Sequence, residues 1–111
     1  MEKKTLREVC ELVGITRRTV QGYEKVGLVA PVGKNKYGYL LYDEVAVEKI
    51  KLIKQYQNLG FPVKQIKVLL EATDEVYVKM MVERLKDMQV ELQKLQIYIK
   101  EIEALILEKQ Q

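Results

Sequence analysis

The sequence contains no histidine, one cysteine, two prolines and no long apolar run. Histidine is the commonest general base and metal ligand, so its absence argues against most hydrolytic and metal-dependent chemistry. The single thiol, Cys10, excludes a disulfide within the chain and fits a reducing compartment. No stretch approaches the roughly 20 apolar residues that a membrane span needs. These absences favour a cytoplasmic protein that works by binding, with no catalytic role, no metal and no membrane.

The net charge of +3 is unevenly distributed along the chain. Residues 1–74 carry 13 lysines and arginines against 9 acidic residues, a net of +4. Residues 75–111 carry 6 against 7, a net of −1. An anionic partner is therefore expected to bind the first two thirds of the chain.

The first two helices are predicted from their capping residues. Thr5 and Glu8 have the spacing of a capping box, which predicts a helix over about residues 6–13 that ends at a glycine. Thr16 can cap a second helix over residues 17–26, which also stops at a glycine. Two helices joined by a short glycine-containing turn are typical of a helix-turn-helix.

A small β-structure is predicted after these helices. Residues 28–29 and 39–41 indicate two short strands on either side of a basic, glycine-bracketed loop over residues 33–38. A loop of this kind between two strands is typical of a wing. Two more helices are predicted over about residues 44–59 and 62–72, from apolar residues at helical spacing and a glycine between them.

A long helix is predicted from Asp74 onward, because glycine and proline are absent from the rest of the chain. Apolar residues recur there in alternating steps of four and three, which is a heptad seam. The seam consists of Met81, Leu85, Met88, Leu92, Leu95, Ile99, Ile102 and Ile106. A helix of about 36 residues is roughly 54 Å long, too long to be covered by the small preceding domain. A second copy of the chain is the economical partner, so we expect a homodimer.

The predicted fold class is mainly α: a winged helix-turn-helix with four helices and a two-stranded wing, followed by a coiled-coil helix. The domains are expected at residues 1–73 and 74–111. Within this sequence we expect no further effector domain.

Three segments, in this order, resemble the MerR family of bacterial regulators. They are residues 16–29 (TRRTVQGYEKVGLV), residues 37–42 (YGYLLY) and residues 59–66 (LGFPVKQI), within a likeness that spans about residues 4–72. The resemblance implies a winged helix-turn-helix that binds double-stranded promoter DNA at a pseudo-palindromic operator, followed by a helix that pairs antiparallel with its mate. It also implies distortion of the promoter, and RNA polymerase or another protein as a further partner.

Two departures from the family pattern lie in the segments that are expected to contact DNA, helix 2 and the wing. The family often has Arg-Tyr-Tyr where this chain has Gln21-Gly22-Tyr23, and an arginine where the wing has Leu40. Each difference removes a cation that could contact a phosphate or the minor groove. The departures bear on the operator sequence and on the distortion of DNA.

Arg17 and Arg18 are the leading candidates for DNA contact. They lie in the first turn of helix 2, where side chains can reach base edges and phosphates. Cations are unfavourable at a helix N-terminus, so two together indicate an external anion. The other candidates are polar, basic or aromatic residues of helix 2, the wing and the start of helix 4: Thr16, Thr19, Gln21, Tyr23, Lys34, Asn35, Lys36, Tyr37, Tyr39 and Lys64. The ordinary alternatives are a solvated helix start, a soluble loop tip and tyrosines that pack in the core.

Several interpretations remain open. The leading one is a transcription regulator, and the alternative is an architectural or partner-recruiting coiled-coil protein with a DNA-tethering domain. An enzyme finds no support in a chain without histidine, a phosphate-binding loop or paired carboxylates. Metal-sensing relatives carry several thiolates around the dimer helix, and this chain has none there, so no cofactor is expected. Apolar residues off the seam either pack on a neighbouring domain or form a docking surface: Val82, Val90, Ile97, Tyr98, Ala104, Leu105 and Leu107.

Overall fold

The computed structural model describes residues 2–111, which form five helices and one three-stranded antiparallel sheet. In chain order the elements are β1 (Lys4–Thr5), α1 (Leu6–Val13), α2 (Arg17–Lys25), β2 (Gly33–Lys34), β3 (Leu40–Tyr42), α3 (Glu44–Asn58), α4 (Val63–Glu71) and α5 (Asp74–Gln110). The chain divides into two compact units, one ending at Glu71 and one spanning Ala72–Gln111. The mainly helical, winged helix-turn-helix fold predicted from the sequence is confirmed.

Helices α1, α2, α3 and α5 begin at side-chain caps, as expected from their first residues. The Thr5 hydroxyl accepts a hydrogen bond from the Glu8 backbone N–H (3.3 Å), and the Glu8 carboxylate accepts one from the Thr5 N–H (2.9 Å). That backbone hydrogen bond is the main reason why the pKa of Glu8 is lowered. Side chains of Thr16, Asp43 and Thr73 cap α2, α3 and α5 in the same way. Because a cap is a local interaction, the helix starts agree with the sequence to within one residue.

The predicted strand at residues 28–29 is wrong. Leu28 and Val29 are buried, but they lie in the loop after α2, where the Leu28 N–H donates to the Tyr23 carbonyl (2.9 Å). A backbone donor that closes the end of a helix is not available to a sheet. The first strand of the wing is instead β2, which pairs antiparallel with β3.

The sheet has a third strand that the sequence does not indicate. β1 pairs antiparallel with β3 in the register Lys4↔Tyr42 and Thr5↔Leu41, so the strand order is β1-β3-β2. The predicted two-stranded wing is therefore one edge of a three-stranded sheet. A strand of two residues is too short to carry an alternating pattern, and only its partner defines it.

The core of the first unit contains side chains from all four of its helices and from β3. Its fully buried residues are Val9, Val20, Tyr42, Ile50, Ile53 and Ile66. Leu59, which follows the end of α3 at Asn58, is 37% exposed. Tyr56 and Phe61 pack edge to face, with ring centroids 6.4 Å apart. No buried side-chain nitrogen or oxygen in the described part of the chain lacks a hydrogen-bond partner.

α5 is a single helix of 37 residues, about 55 Å long. None of its residues is buried, and its seam from Leu85 to Ile106 is 40–58% exposed. Of the residues off the seam, Val90 and Ile97 are 49% and 57% exposed. The second unit therefore leaves a continuous apolar stripe uncovered in the single chain.

Candidate nucleic-acid interface

The start of α2 presents two arginines without protein partners. Thr16 caps the helix by accepting from the Thr19 N–H (3.1 Å), and the two threonine hydroxyls hydrogen-bond to each other (2.9 Å). Arg17 and Arg18 are exposed, and neither forms an ion pair with a described residue. Two unpaired guanidinium groups in a first helical turn repel the helix dipole, so this end of α2 favours an external anion.

Two buried tyrosines hold α2 against the rest of the unit. The Tyr42 hydroxyl donates to the Glu24 carboxylate, which connects α2 to β3. The Tyr23 hydroxyl donates to Gln57 Oε1 at 2.5 Å, which connects α2 to α3. Tyr23 and Glu24 are neighbours in the sequence, so α2 is tied to two different elements within one turn. These bonds fix the direction of α2, and hence which of its residues face outward.

The structure gives Tyr23 a positioning role. Its side chain is 1% exposed, and its hydroxyl donates to Gln57. A phosphate has only acceptor oxygens, so this hydroxyl would have to leave Gln57 to donate to one. The contact of Tyr23 with DNA stays a prediction. Tyr42 is fully buried, in agreement with its expected place in the core.

The α4 residue Lys67 secures the other end of α2. Its Nζ donates to the Val26 carbonyl (3.3 Å), one of the carbonyls that the helix end leaves without a backbone donor. A cation at this position also interacts favourably with the negative, C-terminal end of the helix dipole. The sequence does not single out Lys67, because the carbonyl that it caps is 41 residues away in the chain.

We expect Tyr42→Phe to lower the free energy of unfolding by about 1–2 kcal/mol, because the partly buried Glu24 carboxylate loses its donor. Burial first, and the Glu24 carboxylate second, raise the pKa of Tyr42 well above its usual value near 10. A raised pKa means that the protonated phenol favours the folded state. This stabilisation is complete below the usual pKa near 10 and is lost as the pH rises from there through the raised pKa. Urea denaturation at pH 8 and pH 10.5 measures both effects.

The control is Tyr37→Phe, since Tyr37 is 70% exposed and its hydroxyl has no partner among the described residues. It should unfold at the same urea concentration as the unmodified chain. Equal stability of Tyr42→Phe and Tyr37→Phe would contradict a stabilising role for the Tyr42–Glu24 bond.

The wing, residues 33–42, is shaped by Asn35. Its side-chain oxygen accepts from the N–H groups of Tyr37 (2.9 Å) and Tyr39 (3.0 Å), and its carbonyl accepts from Gly38 (3.0 Å). Gly38 has φ +83°, the left-handed conformation that follows a type I turn in this kind of hairpin. The Asn35 side-chain oxygen is thus committed to the turn, and only its amide nitrogen remains to donate to a phosphate.

The tip of the wing carries a cation beside two exposed tyrosines. Lys36 Nζ lies 5.1 Å from the centroid of the Tyr37 ring, and the Tyr37 and Tyr39 rings are 6.4 Å apart. Tyr39 is 63% exposed, and Lys34 on β2 is also exposed. The tip therefore offers two ammonium groups and two phenols, a combination suited to a sugar-phosphate backbone.

The outward side of α2 is open. Gln21 and Gly22 are exposed, and a Cβ added at Gly22 would meet nothing within 4 Å. A groove of about 430 Å³ runs along this side, lined by Arg18, Thr19 and Gly22 of α2 and by Val63 at the start of α4. Lys64, the next residue, is exposed as well. The outward side of α2 and the start of α4 thus form one continuous surface.

One cation near this surface was missed by the sequence analysis. Arg7, on α1, lines a cleft together with Arg17 and with Tyr39 and Leu40 of the wing. No local pattern marks it, because only the folded chain brings α1 next to the wing. Cys10 is half-buried on α1, and burial raises the pKa of its thiol against the opposing charge of Arg17.

Residues 2–111 contain neither a metal-binding cluster nor a membrane-spanning helix. Among them, no three histidine, cysteine or carboxylate side chains are grouped so as to hold a metal ion. None of the helices in this range is both long and apolar enough to cross a membrane.

Profiles of two protein families match the chain. One, described as MerR HTH family regulatory protein, matches residues 4–73, which include α1 to α4 and the wing. The other, described as MerR, DNA binding, matches residues 47–105. A probable heavy metal-dependent transcriptional regulator of Haemophilus influenzae is 35% identical over 69 residues, which are 62% of this chain and 54% of that protein. The chain spans about half the length of this relative and of the mercuric resistance operon regulatory protein of Bacillus cereus, which it also matches.

Solved structures share the fold. A MerR family transcriptional regulator from Bacillus cereus superposes with a TM-score of 0.81 at 19% identity, covering 93% of this chain and 79% of that one. HiNmlR, a MerR family regulator lacking the sensor domain and bound to promoter DNA, superposes with a TM-score of 0.70 at 24% identity. That match covers 89% of this chain and 80% of the other.

Proposed function

Because the chain belongs to the MerR family of helix-turn-helix regulatory proteins, we propose that it regulates transcription by binding double-stranded promoter DNA as a homodimer. The observation that carries this proposal is the pair Arg17 and Arg18, exposed and unpaired at the capped start of a helix that is tied down elsewhere. Such a regulator acts in the bacterial cytoplasm, where promoter DNA is found. The proposal assigns no catalytic step.

In the proposed complex, α2 lies in the major groove with its N-terminal residues toward the base edges. Arg17 and Arg18 donate to guanine or to phosphate, and Thr19 and Gln21 of the same helix offer further hydrogen bonds. The wing tip follows the adjacent backbone, where Lys34 and Lys36 neutralise phosphates. Lys64 at the start of α4 and the Thr16 hydroxyl extend the same surface.

Dimerisation is proposed from α5. Its seam is uncovered in the single chain, and side chains such as Leu92 and Ile99 remain more than half exposed. Pairing with a second copy buries this stripe, and an antiparallel coiled coil is the arrangement implied by the family. A two-fold dimer presents two copies of α2, so its operator is expected to be pseudo-palindromic.

A second candidate function follows from the apolar residues of α5 that lie off the seam. Val90 and Ile97 are exposed, and a two-helix seam does not use them. They favour a coiled coil that recruits RNA polymerase or another protein while the first unit tethers it to DNA. Leu40, an apolar residue in the wing, favours the same reading because it cannot contact a phosphate.

Selection from a random pool of duplex DNA with the purified protein tests the main proposal. We expect a pseudo-palindromic consensus, bound with nanomolar affinity, and binding that weakens steeply as salt rises. A duplex with both half-sites scrambled is the control for sequence-independent binding. DNA binding without any consensus would replace the regulator with the tethering protein, and the absence of DNA binding would overturn both.

A further inference from the structure

A cleft of about 530 Å³ separates the wing from the first two helices. We call it the wing cleft. Its walls come from three elements of the first unit: the beginning of α1, the first residue of α2 and the second strand of the wing. The lining residues used here are Thr5, Arg7, Arg17, Gly38, Tyr39 and Leu40. None of the sequence patterns joins these residues, which lie up to 35 positions apart.

The charges around the wing cleft are strongly unbalanced. Arg7 and Arg17 both line it, and Arg17 has no carboxylate partner among the described residues. Arg7 Nε lies 3.2 Å from Glu11 Oε1, in an exposed pair whose side chains are 78% and 67% accessible. The nearby Glu8 carboxylate is already taken by the Thr5 N–H in the capping box. Two guanidinium groups therefore line one cleft, and the carboxylate paired with one of them, Glu11, is screened by solvent.

The exposed ion pair between Arg7 and Glu11 can be replaced by a contact between Arg7 and another anion. Ion pairs in this setting contribute little, because water screens both charges and both side chains lose freedom when they pair. A phosphate carries a full charge and several acceptor oxygens that match the guanidinium fork. Arg7 can therefore turn from Glu11 to a phosphate at small cost.

The other walls suit a nucleotide backbone. Gly38 lines the cleft without a side chain, which leaves room for another backbone to approach closely. Its left-handed φ favours glycine at this position. Tyr39 and Leu40 provide an apolar surface on the wing side, against which the carbon atoms of a deoxyribose can pack. The cleft thus combines a cationic pair with an apolar face. This combination is complementary to a sugar-phosphate unit, which has an anionic phosphate and an apolar sugar face.

We propose that the wing cleft binds one backbone phosphate of the DNA between Arg7 and Arg17, with Arg7 leaving Glu11 to do so. This inference rests on the proposed DNA-binding function and adds to it a contact that holds α1, α2 and the wing to one strand. Since a phosphate carries no sequence information, the contact strengthens binding to all duplexes alike. It thereby supplies, from α1, a cation beside Leu40, a position where the wing itself has an apolar side chain.

The test compares Arg7→Ala with Lys51→Ala. Lys51 lies on α3, is exposed, and forms the same kind of short-range pair with Glu48 (3.1 Å), so its loss matches the change in charge. Fluorescence anisotropy is measured from 50 to 200 mM NaCl with two duplexes, the selected operator and a scrambled sequence of equal length. A thermal melt of each variant confirms that it is folded.

We expect Arg7→Ala to weaken binding to both duplexes by about tenfold and to reduce the salt slope by about one for each subunit bound. Lys51→Ala should bind nearly as the unmodified chain does. Glu11→Gln should bind at least as tightly as the unmodified chain, because it releases Arg7 without removing it.

Two results would overturn the inference while the DNA-binding function stands. One is Arg7→Ala binding as tightly as Lys51→Ala, with an unchanged salt slope. The other is an equal loss of DNA affinity in Arg7→Ala and Lys51→Ala, which would show a long-range effect of net charge and no phosphate-binding site in the cleft. Failure of the unmodified chain to bind either duplex would instead refute the proposed function, and the inference with it.

Discussion

Replacing Arg17 and Arg18 together with alanine is expected to weaken binding to the selected operator by roughly a hundredfold or more. A bidentate contact between an arginine and a base is worth about 1–3 kcal/mol, and a dimer would lose four arginines at once. Affinity for a scrambled duplex should fall less, because base contacts are absent there. Titrations of both duplexes at one salt concentration measure the two losses and their ratio.

The structure also predicts that this change leaves the fold intact. Both side chains are exposed and have no ion-pair partner among the described residues. Removing cations from a helix N-terminus relieves an unfavourable interaction with the helix dipole, so the melting temperature should not decrease. The control variant is Arg17→Lys with Arg18→Lys, which keeps the charge but not the planar fork. Unchanged operator binding by the alanine variant would show that α2 is not the reading helix.

Replacing Leu92 and Ile99 together with aspartate is expected to convert the dimer into monomers and to abolish operator binding at nanomolar concentrations. Both residues lie on the seam of α5, where a carboxylate opposite an apolar helix loses its hydration without gaining a partner. A monomer holds only one half-site, so the DNA affinity of the second subunit is lost as well. Sedimentation velocity at several protein concentrations measures the oligomeric state.

The matched control makes the same change in net charge, by −2, one residue further along. Gln93→Asp with Lys100→Gln places this change about 100° around the helix from the seam and keeps the spacing of seven. This variant should remain a dimer. A dimer that persists in the Leu92 and Ile99 variant would refute the seam, and monomers in both variants would point to general repulsion along α5.

The sequence was informative wherever the deciding interaction is local or periodic. The Thr5–Glu8 capping box and the threonine cap at Thr16 involve residues three positions apart, so the starts of α1 and α2 could be read directly. The seam of α5 repeats along one helix and needs no knowledge of the rest of the chain. The glycines at the helix ends are equally local. These features carry the fold class.

The errors lie where a distant residue decides. Leu28 and Val29 have the composition of a strand, yet they pack in the core after α2, and Gly33–Lys34 form the first strand of the wing instead. Nothing in a two-residue segment distinguishes it from a loop until its pairing partner, β3, is in place. The sequence likewise does not indicate the partner of the Tyr23 hydroxyl, which is Gln57 on α3.

By itself, the sequence determined that this chain forms a helix-turn-helix with a wing, and it predicts a partner for α5, because caps, turns and heptads act between residues a few positions apart. Only the tertiary structure decided how α2 is held and which cations share its surface. Tyr42 reaches Glu24 across 18 positions and Lys67 reaches Val26 across 41, and Arg7 meets Arg17 and the wing in one cleft. Such contacts depend on how the elements pack, and no spacing along the chain encodes that packing in a readable form.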